Sequence, residues 1–281
     1  MKPINNHLGF GGAALTSLKS YATVKELLNT AYEQGIRHFD TAVLYGRGYS
    51  ELIYGAFMKG KRKELTITTK FGLGDSFQTG LMPVQLLLPL NYHLKRAKTA
   101  LSKTVLVTQI PEYTPSVYRQ IDRKMIEASF NDSLSRLKTD YVDYYLLHEG
   151  LPHFLTDEAR DFLLNLKIQG RIRAIGIGAN ILDVKTLDCE ALKDWDVLQY
   201  EGHIADETAE MMLKFPDKAH FHHSCLKNRD LLSLDEVPLK DKVGFILAQA
   251  AKLNPGGKII FSTRDSKHIR DNMNSFSKHC H

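Results

Sequence analysis

The stretch IRHFDTAVLYGRGYSELIYGAFMKG, Ile36–Gly60, contains a complete structural unit. It opens as a strand, with Ile36 and Phe39 set against Arg37 and His38. A loop carrying Gly46 and Gly48 follows, then an amphipathic helical run that stops on Gly60. Glycine takes the left-handed conformation that ends a helix more readily than any other residue. The same order recurs along the chain. LGFGGAAL precedes TVKELLNTAYEQG, and ELTITTKFG precedes, after a long detour, VYRQIDRKMIEASFNDSLSRLK. YVDYYLLH, IRAIGIG, DVLQY, AHFHHS and KIIFS are each followed by a helical run. Gly35 and Gly170 close helices as Gly60 does. Strands alternating with helices pair in parallel. Eight such units within 281 residues predict a closed (β/α)8 barrel, one domain over residues 1–281, and not an open sheet.

Composition narrows the function. Charged residues make up 25% of the chain, hydrophobic ones 43%, and the formal net charge is +5. The charges are interspersed, and no Lys/Arg-rich run with interleaved aromatics points to nucleic acid. A mildly basic surface suits a small anionic ligand such as a phosphorylated cofactor. The three cysteines have no C-x-x-C spacing, and an odd count argues against a disulfide framework, so a reducing, cytoplasmic location is expected. The N-terminal stretch lacks the apolar core of a signal peptide, and no apolar run approaches the roughly 20 residues that span a bilayer.

The detour over residues 72–115 is the oversized connection. Its apolar run LMPVQLLLPL and the basic LKRAK that follows predict a lid or pocket wall with a short helix near Tyr92–Leu101.

In a barrel of this kind the active site lies at the C-terminal ends of the strands. The second strand ends on Asp40, with Tyr45 in the next loop. The third ends on Lys70 and the fourth on His148. Each has an ordinary structural explanation: a helix cap, a surface aromatic, a rim charge, a core histidine. Together they make a proton-transfer set. A phenol ionises near pH 10, and an adjacent ammonium lowers that value. Lys70 is expected to act so on Tyr45, with Asp40 holding Lys70 and His148 hydrogen-bonding a carbonyl oxygen. Such a set suits exchange of a proton with an oxygen whose carbon exchanges a hydride. It contains no nucleophile and no carboxylate pair for glycoside hydrolysis, and no metal-ligand spacing accompanies it.

At these residues the sequence resembles the aldo-keto reductases. FDTAVLYGRGYSE, TITTKFG and DYVDYYLLHEG carry the resemblance, and GRIRAIGIG, DVLQY and IIFSTRDSKHIRDNMNSF extend it over almost the whole chain. It implies a (β/α)8 barrel, an extended nicotinamide dinucleotide, no metal, and Tyr45 as general acid/base supported by Asp40, Lys70 and His148. The substrate it implies is a small carbonyl compound or sugar. Gln199 matches the glutamine that meets the nicotinamide carboxamide. Ser262, Thr263, Arg264, His268 and Asn272 match the segment that grips the adenosine end, and a guanidinium at Arg264 suits a 2′-phosphate, favouring NADPH with NADH as a possible cofactor.

Three departures from the pattern stand out. Gly178-Ala179 occupies the place of a Ser-Asn pair that holds the carboxamide, with Asn180 next as the substitute. His223 stands where a tyrosine stacks on the nicotinamide. The chain also stops soon after its eighth helix, so specificity is expected to rest on the 72–115 detour. Two other functions fit the resemblance, a cofactor-binding regulatory subunit and a barrel isomerase or lyase that recycles its cofactor.

Overall fold

The computed structural model describes residues 5–73, 82–102, 120–202, 206–227 and 237–280. Eight strands are β1 (Asn5–Gly11), β2 (Ile36–Asp40), β3 (Thr66–Phe71), β4 (Val142–His148), β5 (Ile172–Gly178), β6 (Val197–Glu201), β7 (Ala219–His223) and β8 (Lys258–Phe261). All neighbouring pairs are parallel, and β8 pairs with β1 to close the barrel in sequence order. The helices are α1 (Tyr21–Glu33), α2 (Tyr49–Phe57), α3 (Val84–Ser102), α4 (Arg123–Leu137), α5 (Asp157–Ile168), α6 (Ile181–Lys185), α7 (Asp206–Lys214), α8 (Lys242–Leu253) and α9 (Ser266–His279).

Local chemistry sets the helix ends. The side chains of Ser20, Asp122 and Thr156 accept from backbone N–H groups of Thr23, Met125 and Ala159, satisfying donors that the first turn leaves free. Gly35, Gly60 and Gly170 sit at φ 94°, 80° and 71°, the left-handed stops expected from the sequence. In α1, Val24, Leu27, Leu28 and Ala31 recur at helical spacing and are all buried.

Two apolar layers result. Leu146, Val197, Phe221 and Ile260 fill the barrel interior, where Phe221 meets His38 and Tyr144 edge-on at 5.2 and 4.9 Å. A larger layer joins the barrel to its helices. The N-terminal end of the barrel carries structural charge. Buried Asp143 binds Arg62 and Arg173, both at 2.8 Å, and accepts from the Ile67 N–H.

Several sequence expectations need correction. β3 runs one residue further than expected, to Phe71. The helix after β5 is short, Ile181–Lys185, and the chain then proceeds in turns. In the detour the helix starts at Val84, directly after Pro83, and passes through Pro89. A proline inside a helix removes one hydrogen bond without removing the apolar face, and Leu88 in that turn is fully buried. α4, against α2 and α5, fills the crossover between β3 and β4, so α3 is an extra element. It lies against α1 and the 3-10 turn Leu15–Ser17. Residues 74–81 and 103–115 of the detour lie outside the described residues.

Candidate active site

Strand register brings the catalytic candidates together. Asp40 is level with Thr68 on β3, and Lys70 stands two residues further along the same face. His148 on β4 pairs with Gly178 on β5, and Gly178 pairs with Gln199 on β6. The C-terminal rim therefore carries a rung of His148, Gly178 and Gln199 beside the Asp40–Lys70 pair. Asp40, Tyr45, Lys70, His148, Gly178 and Gln199 all line one cavity of about 520 Å³.

The Lys70 ammonium donates to both Asp40 oxygens, at 2.7 and 2.8 Å, and to the Thr41 carbonyl at 3.0 Å. Lys70 and Asp40 are each 3% exposed. Burial alone would push the ammonium down, but Asp40 and Tyr45 hold it above the usual lysine range. Gln199 Nε2 adds a third donor to Asp40, at 2.9 Å.

Tyr45 rides on a loop built to project it. Its N–H donates to the Ala42 carbonyl, and Gly46 follows at φ 61°. A side chain at Gly46 would meet Thr16 Cγ2 at 2.2 Å, so the loop closes onto the 3-10 turn only because that residue is glycine. The Lys70 ammonium lies 5.2 Å from the centre of the Tyr45 ring, and the His148 ring meets it edge-on at 5.9 Å. The expected lowering of the phenol's pKa does not result. Burial pushes it up; Lys70 opposes that, Asp40 adds to it, and the balance lies above the usual phenol value. Tyr45 therefore stays protonated near neutrality. Burial, helped by Lys70, lowers His148 to about 3, so its imidazole is neutral across the physiological range. Its Nδ1 is buried without a hydrogen-bond partner.

The cofactor candidates divide. Gln199, His223 and Ser262 line the cavity. Gln199 Oε1 is buried and unpartnered, an acceptor awaiting a donor. Asn180 does not line the cavity; its side chain caps α6, accepting from the Leu182 N–H at 2.8 Å. The structure thus gives Asn180 a local helix-capping contact in place of the expected substitution for the missing pair. Thr263, Arg264, His268 and Asn272 also stand away from the lining. Thr263 Oγ1 accepts from the Asp265 N–H, and Arg264 and His268 are exposed on the turn and helix after β8. No described residue of α3 lines the cavity, and much of the detour expected to form a pocket wall lies outside the described residues.

Glu149, Ser224, Cys225 and Lys227, not expected from the sequence, also line the cavity. They follow the ends of β4 and β7 directly, and the strand-end rule that selected His148 reaches them when extended past the last strand residue. Burial pushes the Cys225 thiol up to about 12, which leaves it unreactive. Among the described residues no group of three or more His, Cys, Asp or Glu is placed to hold a metal ion.

A family model described as Aldo/keto reductase family matches residues 7–220. The chain belongs to that family. It is 31% identical over 189 residues to D-threo-aldose 1-dehydrogenase of a Pseudomonas species, covering 64% of this chain and 51% of that protein. It is 28% identical over 190 residues to the NADH-specific methylglyoxal reductase of Escherichia coli, covering 64% and 48%. The chain thus spans about half the length of these curated relatives. A solved aldo-keto reductase from Klebsiella pneumoniae in complex with NADPH has the same fold, with a TM-score of 0.57 and 16% identity over 96% of this chain and 85% of that one. No described helix is long and apolar enough to cross a membrane.

Proposed function

We propose that this protein is an NAD(P)-dependent oxidoreductase that interconverts a carbonyl and an alcohol, with Tyr45 as general acid/base. The observation that carries this is the buried Lys70–Asp40 pair set beside a protonated phenol and a neutral imidazole in one cavity. A carbonyl oxygen placed between Tyr45 and His148 receives a hydrogen bond from the imidazole and the proton from the phenol. The negative charge left on the Tyr45 oxygen then faces the Lys70 ammonium, which stabilises it. Lys70 need not move, because Asp40 and the Thr41 carbonyl already hold it.

The cavity fits a nicotinamide dinucleotide on chemical grounds. The orphaned Gln199 Oε1 suits an amide N–H, the His223 ring offers a stacking face, and Lys227 with Ser262 suits phosphate. Arg264 lies exposed beyond them for a 2′-phosphate, which favours NADPH, while NADH remains compatible with the cavity. The bound cofactor would supply the hydride; the chain's own residues bind, orient and move the proton. The activities for which the relatives are named, on an aldose and on methylglyoxal, make a small carbonyl compound or sugar the proposed substrate.

The test is reduction of small aldehydes followed by NADPH absorbance, with Tyr45→Phe beside the wild type. Loss of turnover by about 10²–10⁴-fold is expected, with NADPH affinity retained. A variant that keeps more than about a tenth of wild-type turnover would show that another group carries the proton.

A further inference from the structure

Glu149 lines the cavity with Tyr45 and His148, and its charge adds to the causes that keep the Tyr45 phenol protonated. It follows His148 directly, at φ 50°, a left-handed conformation that a non-glycine side chain adopts at a cost. Its N–H donates to the Gly178 carbonyl at 2.7 Å, which fixes the residue on the β4–β5 side of the rim. Among the described residues its carboxylate forms no ion pair and no hydrogen bond. Burial pushes its pKa up, Glu201 and Asp183 push it further, and the opposing Lys70 charge is already committed to Asp40.

Oε1 of Gln199, the residue that pairs with Gly178 on the neighbouring strand, is the acceptor assigned to the nicotinamide amide, so Glu149 is the acceptor left for the substrate. A Cβ at Gly178 would stand 3.3 Å from that oxygen. This side of the cavity thus offers acceptors and negative charge. The cation Lys227 lies on the loop after β7, three strands away around the barrel. Burying part of a carboxylate that has no partner among the described residues is costly, and a ligand bearing O–H donors relieves that cost. A ligand bearing a second negative charge increases it.

We infer that Glu149 is a specificity-determining residue: its carboxylate accepts hydrogen bonds from the hydroxyl groups of an uncharged, hydroxylated carbonyl or alcohol substrate, and it rejects substrates that carry a carboxylate or phosphate. This rests on the oxidoreductase reading and names the substrate class of the same site.

The experiment compares wild type with Glu149→Gln at pH 7.5 on glyceraldehyde, neutral and hydroxylated, and succinic semialdehyde, which is anionic. The wild type should prefer glyceraldehyde. In E149Q the ratio of the two kcat/KM values should fall by about tenfold or more, chiefly through a gain on the anion. Added salt should narrow the wild-type preference and leave that of E149Q unchanged. NADPH affinity, read by fluorescence titration, should stay within about twofold. An unchanged ratio overturns the inference, and so does a weakened NADPH affinity with the ratio intact, because Glu149 then serves the cofactor. Absence of turnover by the wild type on every carbonyl would instead refute the oxidoreductase reading. The same residue is then tested by calorimetry with succinate and glycerol, where E149Q must gain affinity for succinate relative to glycerol for the inference to stand.

Discussion

Removing the Lys70 ammonium should destabilise the protein more than removing both members of its ion pair. Lys70→Met leaves the Asp40 carboxylate 3% exposed, with Gln199 Nε2 at 2.9 Å as its remaining side-chain donor. At the observed 2.7 Å contact, and with an effective dielectric constant near 20, the lost attraction is about 6 kcal/mol, an upper bound before relaxation. Breaking a buried pair typically costs about 3–5 kcal/mol, because a charge remains without compensation. The double variant Lys70→Met/Asp40→Leu removes both charges and both desolvation penalties, so it should recover most of that loss. Urea melts followed by circular dichroism at pH 7 give the four stabilities of the cycle, and the coupling should exceed about 2 kcal/mol. The pH dependence has a fixed sign. The Lys70 pKa is raised above the ordinary 10.5, so its stabilisation is complete below that value and is lost as pH rises through the higher, folded-state pKa. Wild type should therefore lose stability above pH 10.5 more steeply than Lys70→Met. A double variant as unstable as the sum of the two single ones would refute this account of the site.

Two further outcomes follow from the same geometry. Arg264→Ala should weaken NADPH by roughly tenfold and spare NADH, in a fluorescence titration with both cofactors; equal losses would mean that the guanidinium does not meet a 2′-phosphate. His148, held near 3 by burial and by Lys70, should remain neutral, so NMR titration of its ring should show no transition between pH 5 and 8, and the rate profile there should carry no inflection from it. An observed His148 transition near 6.5 would contradict its burial.

Much of the site was legible because barrel geometry turns position along the chain into position in space. Parallel strands in sequence order place every C-terminal strand end on one rim, so Asp40, Lys70 and His148 converge without any knowledge of side-chain packing. Helix stops at Gly35, Gly60 and Gly170 were equally readable, because a left-handed turn is a local requirement. The sequence alone therefore determined the alternation, the closure and the identity of the polar rim. What it did not determine depends on distance and burial between segments far apart in the chain. Residue type suggested a phenol activated by a neighbouring ammonium; burial of Tyr45 and the nearby Asp40 charge outweighed that attraction. Asn180 could equally have faced the cavity or capped α6, and only the path of the backbone after β5 put its oxygen on the Leu182 N–H. The bond from Gln199 to Asp40 joins residues 159 positions apart, and no local pattern records it. No local pattern marks Glu149, and only the tertiary structure puts it on the wall of the same cavity as Gln199. Charge and desolvation act through space, so the ionisation states of the site belong to the tertiary structure, while the list of groups that can ionise there belongs to the sequence.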